Sequence, residues 1–416
     1  MKKVLSFMIC SLILLVPILS FSSCESVNND VITLYVYNWG EYISDGSEDS
    51  LDVNQAFEDW YNAEVGSKNG TRVKVNYSTY SSNEDLYAKI TSEAVSYDVI
   101  VPSDYMVQRL AEGGYLAPLN YDNIPNMEYI LPEFKGENAY YDIGNVYSVP
   151  YLYGMIGIIY NTTMVDPEDE DIGSWSLMWD EAYTGNILQF NNSRDAFGTA
   201  QYYLGVDVNE ATEEQWRDAL ELLKEQKKIV QGYVMDEIFN KMENGSAAIA
   251  AYYAGDYLTM YEENNDLEFY YPKEGTNLYV DAMCVPSSSK NKDIAEMYIN
   301  FMLSEEIAVA NAEYTYYASP NSLVVNNEEY REYMSEIKED AYEKMYPSDT
   351  VKATSYENLT EDKLVLLNTL WEELKSDIEI GLSIYIICGV IIISMILLFL
   401  AYIIKKRAMK KLYENP

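Results

Sequence analysis

Seven short patches along this chain set aromatic rings beside carboxylates or small polar groups. They are Tyr37-Asn38-Trp39-Gly40-Glu41-Tyr42, Ser103-Asp104-Tyr105, Asn192-Ser193-Arg194-Asp195, Tyr252-Tyr253, Tyr279-Val280-Asp281, Tyr316-Tyr317 and a late Glu357. Aromatic faces cover methylenes and attract ammonium groups through the ring quadrupole, and carboxylates fix charged ends. Together they suit a long, flexible, multiply charged cation, which is the description of a polyamine. With 41 tyrosines in the chain, any single Tyr is more often packing than contact, so the argument rests on the constellation. Trp39 and Tyr253 are expected to act through ring faces, Asp281 to pair with an ammonium, and Arg194 to orient Asp195 through a salt bridge.

Composition removes other chemistries. The chain has no histidine, hence neither the commonest general base nor the commonest metal ligand. No catalytic residue, metal or cofactor is expected. A formal charge of −39 argues against nucleic acid, whose phosphates need clustered Lys and Arg. It also favours the encounter of cationic solutes, although for most of these acids solubility is an equally good explanation. The four cysteines, Cys10, Cys24, Cys284 and Cys388, fall in different segments, so no intramolecular disulfide is expected.

The patches need elements to position them. Strand-like segments rich in β-branched and aromatic residues are 32–39, 73–79, 97–102, 147–160, 187–190, 247–253, 267–271 and 278–285. Between them, Thr212-x-x-Gln215 resembles a capping box that opens a helix with Trp216, Ala219, Leu220 and Leu223 on one face. Ile294, Met297, Tyr298 and Phe301 repeat that spacing. Such alternation predicts an α/β fold, and the length predicts two lobes. Several patches fall at strand ends, where ligands of open α/β sheets bind.

Both ends of the chain read as membrane signals. Met1-Lys2-Lys3 and the apolar run to Phe21 predict a signal peptide over 1–23, and Phe21-Ser22-Ser23-Cys24 resembles a lipobox that would acylate Cys24, followed by a tether to residue 30. Cleavage after small residues, leaving a free cysteine, is the alternative. Ile380–Ile404 is 25 residues without a charge, longer than the roughly 20 needed to cross a bilayer. The basic residues that follow predict a cytoplasmic tail over 405–416, with the body held at the cell membrane on the extracellular or periplasmic face.

Read in order, Tyr-Asn-Trp-Gly-Glu-Tyr, Tyr77-Ser78-Thr79-Tyr80-Ser81-Ser82-Asn83-Glu84, Tyr97-Asp98-Val99-Ile100-Val101-Pro102-Ser103, Val149-Pro150-Tyr151-x-Tyr153-Gly154, Asp281-Ala282-Met283-Cys284-Val285-Pro286 and Ser319-Pro320-Asn321 resemble the spermidine/putrescine-binding proteins of polyamine ABC transporters. The resemblance spans roughly residues 31 to 375. It implies a two-lobed periplasmic-binding-protein-like fold of type II, with lobe 1 from 31–154 and 277–325 and lobe 2 from 155–276 and 326–376. It also implies an ABC permease and its ATPase subunits as partners. Carried over by position, it implies an aromatic box of Trp39, Tyr42, Tyr253, Tyr279 and Tyr317 and carboxylates Glu41, Asp195 and Asp281. Polar contacts would come from Ser103, Tyr105 and Asn192, and Glu357 stands where the family carries a glutamine. Gly40 replaces a threonine, Asn192 often an aspartate, and Tyr253 and Tyr279 tryptophans, which leaves the particular polyamine open.

Two other readings compete. An extracellular glycosidase would also set paired carboxyls beside aromatic rings, but these acids are dispersed along the chain. A binding protein of the same fold for another cationic solute differs from the first reading only in its ligand.

Overall fold

The computed structural model describes residues 30–376 apart from 48–49, 93–94 and 348–349, together with 390, 393–397, 399 and 401–406. The expected signal peptide, Cys24 and nearly all of the tether lie outside the described residues, as does most of the apolar run and of the basic tail. Those residues of the run that are described are helical, and large apolar side chains among them, such as Ile393, Leu397 and Phe399, are exposed. No helix among the described residues is long and apolar enough to cross a membrane.

Ten strands form the frame: β1 (Asp30–Trp39), β2 (Thr71–Tyr80), β3 (Val99–Ile100), β4 (Ser148–Asn161), β5 (Ile187–Phe190), β6 (Val230–Val234), β7 (Ile249–Tyr253), β8 (Leu267–Tyr270), β9 (Thr276–Cys284) and β10 (Ala353–Thr354). Their order is β2-β1-β3-β9-β4-β7-β5-β6, with β10 on β9 and β8 on β4. β1 runs parallel to β2 and β3, and β5 runs parallel to β6 and β7. Two long strands join these groups. The first half of β4 pairs antiparallel with β9, from Ser148 opposite Cys284 to Met155 opposite Leu278. Its second half pairs with β7 and β8.

Burial explains the strand composition. β4 is buried along almost its whole length, and β9 likewise, so both read as continuous apolar runs rather than alternating ones. The helices that bear on the site are α1 (Asn83–Thr91), α2 (Asp104–Glu112), α3 (Ser193–Tyr203), α4 (Glu213–Lys227), α5 (Glu237–Glu243), α6 (Ala254–Glu263) and α7 (Glu361–Ser376). The capping box at Thr212 and Gln215 is present in both directions. It starts α4 so that Trp216, Ala219, Leu220 and Leu223 pack with Phe197 of α3 and with Leu367, Leu370 and Leu374 of α7 in a satellite core. Ile294 and Tyr298 are buried as their spacing predicts, while Met297 and Phe301 are partly buried against the main core.

Two strand expectations change. The segment 97–102 contributes only Val99–Ile100, because the Asp98 carboxylate, rather than a main-chain carbonyl, accepts the Tyr35 N–H at 3.0 Å, and Pro102 has no N–H to give. β6 and β10 are additional. β6 is half-exposed at the sheet edge with Gly232 at its centre, and β10 is a two-residue exposed pair, so neither carries the alternation by which strands are read.

Candidate functional site

The carboxyl ends of parallel strands from both groups converge on one narrow cavity of about 60 Å³, small beside the roughly 300–1,000 Å³ of pockets for drug-sized ligands. β1 runs into the turn that carries Trp39, Gly40 and Tyr42. Asn38, buried, braces it: its Oδ1 accepts the Trp39 N–H at 2.8 Å and its Nδ2 donates to the Tyr42 carbonyl at 3.4 Å. β3 delivers Ser103 and α2, β5 delivers Asn192 and α3, and β7 ends at Tyr253. β9 places Tyr279 and Asp281 two residues apart, on one face of the strand.

The lining includes Trp39, Tyr42, Ser103, Tyr105, Asn192, Asp195, Tyr253, Tyr279, Asp281 and Tyr317, all named from the sequence. Two expected residues are not brought to it. Glu41 turns to a neighbouring cavity lined also by Glu262, Glu313 and Tyr314, because its backbone takes a positive φ of 48°. Glu357 is exposed and uses its N–H on Asn209; the adjacent Tyr356, fully buried, lines the cavity instead. Sequence reasoning also omitted the carboxyls of Glu84, Asp104, Asp236 and Asp256. Glu84 and Asp104 were inside quoted segments, but Asp236 and Asp256 lie just after β6 and β7 with no aromatic-acid pattern of their own except Tyr252-Tyr253.

Hydrogen bonds hold the acids in place. Asp281 accepts from Tyr42 Oη at 2.8 Å and Ser103 Oγ at 2.6 Å. Ser103 is itself fixed by Asn83, whose Nδ2 donates to Oγ at 3.0 Å while its Oδ1 accepts the Ser103 N–H at 3.2 Å. Asp195 Oδ2 accepts from Asn192 Nδ2 at 2.7 Å and Tyr253 Oη at 2.8 Å; Asn192 also caps α3 by accepting the Asp195 N–H. The expectation for Tyr253 is corrected here, because its hydroxyl, and not only its ring, has a task. Asp104 accepts the N–H of Val280, between Tyr279 and Asp281, and bonds Tyr140 Oη. The rings interlock, Tyr317 standing edge-on to Tyr42 at 4.6 Å and Tyr253 edge-on to Tyr279 at 5.4 Å.

Arg194 does not pair with Asp195. Its guanidinium donates to the Val208 carbonyl and Asn209 Oδ1, each at 3.2 Å, and stacks on Tyr356 at 4.3 Å. It thereby supports the back of a ring that faces the cavity.

Six carboxyls line the cavity, and no Lys or Arg is among the lining residues. Burial, opposed only in part by hydrogen bonds, raises Asp104 and Asp281 to about 7 and Asp256 to about 8, and also raises Asp195 and Glu84. Several polar atoms are buried without a partner: Tyr279 Oη, Tyr356 Oη, Asn277 Oδ1 and Trp39 Nε1. The Trp39 indole lies near enough to favour the ionised form of Asp281 but does not reach hydrogen-bond geometry. Carboxyls held this way without a counter-charge are completed by a cation, and unfilled donors and acceptors by a ligand's polar groups. An anion is excluded by the same field.

Comparison with known proteins agrees in kind. Residues 56–338 match the family model described as bacterial extracellular solute-binding protein. The spermidine/putrescine-binding periplasmic protein of Escherichia coli strain K12 is 30% identical over 304 residues, covering 73% of this chain and 81% of the relative. Its counterpart in Salmonella typhimurium is 29% identical over 361 residues, covering 86% and 95%. Among solved structures, a putative spermidine/putrescine ABC transporter protein from Listeria monocytogenes superposes with a TM-score of 0.71 at 33% identity, covering 83% of this chain and 99% of that one.

Proposed function

The chain belongs to the bacterial extracellular solute-binding proteins, and from that premise we propose that it captures a polyamine of the putrescine/spermidine class and delivers it to an ABC permease. The observation that carries this reading is the cavity wall: six carboxyls and a set of interlocked aromatic rings, with no basic residue among them. The relatives are named as binding proteins for such cations, not as enzymes, so the glycosidase reading is not favoured.

In this reading the site uses two kinds of contact. Trp39, Tyr42, Tyr253, Tyr279 and Tyr317 cover the methylenes, each ring adding about 0.5–2 kcal/mol where it faces an ammonium. Asp281 and Asp195 take ammonium groups, and Ser103, Tyr105 and Asn192 hold those carboxylates or Glu84 in position. The unpartnered hydroxyls of Tyr279 and Tyr356 serve the remaining N–H groups. The two strand groups, with their helices, act as lobes 31–154 with 277–325 and 155–276 with 326–376, hinged on β4 and β9 and closing over the ligand. The uncharged run 380–404 anchors the body at the outer face of the membrane, with acylation of Cys24 as a second anchor.

Calorimetric titration of the protein with putrescine, spermidine, spermine and agmatine tests the ligand class. Saturable binding of at least one natural polyamine, with none of glutamate, is the expected result. Failure of all four to bind would overturn the reading.

A further inference from the structure

At its mouth the cavity brings together two chain segments that the sequence gives no reason to associate. The carboxylate of Asp236, in the short connection between β6 and α5, stands over Gly40 in the turn after β1. A Cβ placed on Gly40 would lie 3.0 Å from Asp236 Oδ2 and 3.7 Å from its Cγ. The backbone of Gly40 is not left-handed, so the glycine is needed for this close approach and not for the turn itself.

Behind this contact lies Asp256, the first-turn acid of α6, buried and lining the same cavity. The acids it faces are Asp236 and Glu41. Tyr279, buried and within electrostatic reach of Asp256, turns its hydroxyl into the cavity with no partner. Asp195 belongs to another group, since the acids it bears on are Asp281 and Glu84. The slot thus has two stations already described, at Asp195 and Asp281, and a third set of oxygens at its mouth.

We propose that Asp236, admitted by Gly40, is a specificity-determining residue that forms with Asp256 a station for a third ammonium, so that the site prefers a triamine to a diamine. The inference rests on the polyamine reading above. A diamine spans two stations and leaves the mouth to water; a triamine reaches all three. Selectivity of this kind is a difference between two affinities, and a group touched by only one ligand sets it.

The test is the ratio of spermidine to putrescine affinity, measured by calorimetry on the wild-type protein, Asp236→Asn and Gly40→Ala. The first variant removes the charge, and the second pushes it back with an added methyl. Because the mouth is open to solvent, the expected loss is modest. Each variant should lower spermidine affinity about five- to tenfold and putrescine affinity less than about twofold, so putrescine binding serves as the control for folding. An unchanged ratio in both variants, or no preference for spermidine in the wild type, overturns the role of Asp236 while leaving the polyamine reading intact. A wild-type protein that binds neither amine overturns both.

Discussion

Raising the pH should tighten ligand binding, and the site geometry sets how far. In the empty cavity burial holds the Asp281 carboxyl at about 7 and that of Asp256 at about 8. An alkylammonium, like a lysine side chain, stays charged to about pH 10, so the ligand selects the ionised acids and its entry releases protons. At pH 6 a carboxyl with a pKa of about 7 is ionised about one part in ten, and one at about 8 about one part in a hundred. Affinity should therefore rise about tenfold between pH 6 and pH 9 if only Asp281 must ionise, and about a thousandfold if Asp256 must as well. Titration calorimetry in buffers of different ionisation enthalpy measures the protons released directly. The stability of the empty protein should move the other way. These carboxyls hold protons more tightly folded than unfolded, near 4, so they favour the fold at low pH. That advantage is lost as pH rises from about 4 through 7 and 8. A dissociation constant that stays flat from pH 6 to 9, with no proton release, would refute the claim that buried acids receive the ligand.

Other perturbations separate the roles of individual groups. Asp281→Asn removes one partner of a desolvated charge pair, a loss on the order of 2–5 kcal/mol, so spermidine should bind about 30-fold or more weakly; equal affinity by calorimetry would take Asp281 out of the site. Tyr253→Phe keeps the ring but deletes the hydrogen bond to Asp195, and should weaken binding by about 1 kcal/mol, with Tyr253→Ala worse. Parity of the two variants would mean that the ring face contributes nothing. A chain ending after Ser376 should bind polyamine with unchanged affinity and, if Cys24 is acylated, remain in the membrane fraction until Cys24→Ala is added, as fractionation and immunoblotting would reveal.

Much of this site was legible because its parts are local. A strand that runs into Trp39 or Tyr253, a Ser or Asn that starts a helix, and an alternating Tyr279 and Asp281 are all patterns a few residues long, and most of the residues they identify meet in the cavity. What escaped depends on backbone direction or on distant neighbours. Glu41 follows Gly40 directly, yet its positive φ turns it to the adjacent cavity. Tyr356 rather than Glu357 faces inward because Gly198 leaves the space its phenol tip fills, and nothing near residue 356 signals that. Arg194 was assigned to its neighbour in sequence, whereas the loop at Val208 and Asn209 offered its guanidinium better acceptors. The short β3 turned on a side chain of Asp98 replacing a main-chain acceptor.

The placement of Tyr279 and Asp281 on β9 has a kinetic consequence. Any rotation of the two strand groups about β4 and β9 displaces atoms in proportion to their distance from those strands. Residues on the axis keep nearly the same surroundings whether the groups stand apart or together, while those carried on α3, β7 and α5 swing through the largest arcs. Asp281, held by Tyr42 and Ser103 from its own side, is therefore ready before closure, and a cation can moor there first. Asp195 and Tyr253 arrive later, as a second grip that governs residence time. Substitutions on the axis should then alter how fast ligand is caught, and substitutions on the swinging arc how long it is kept.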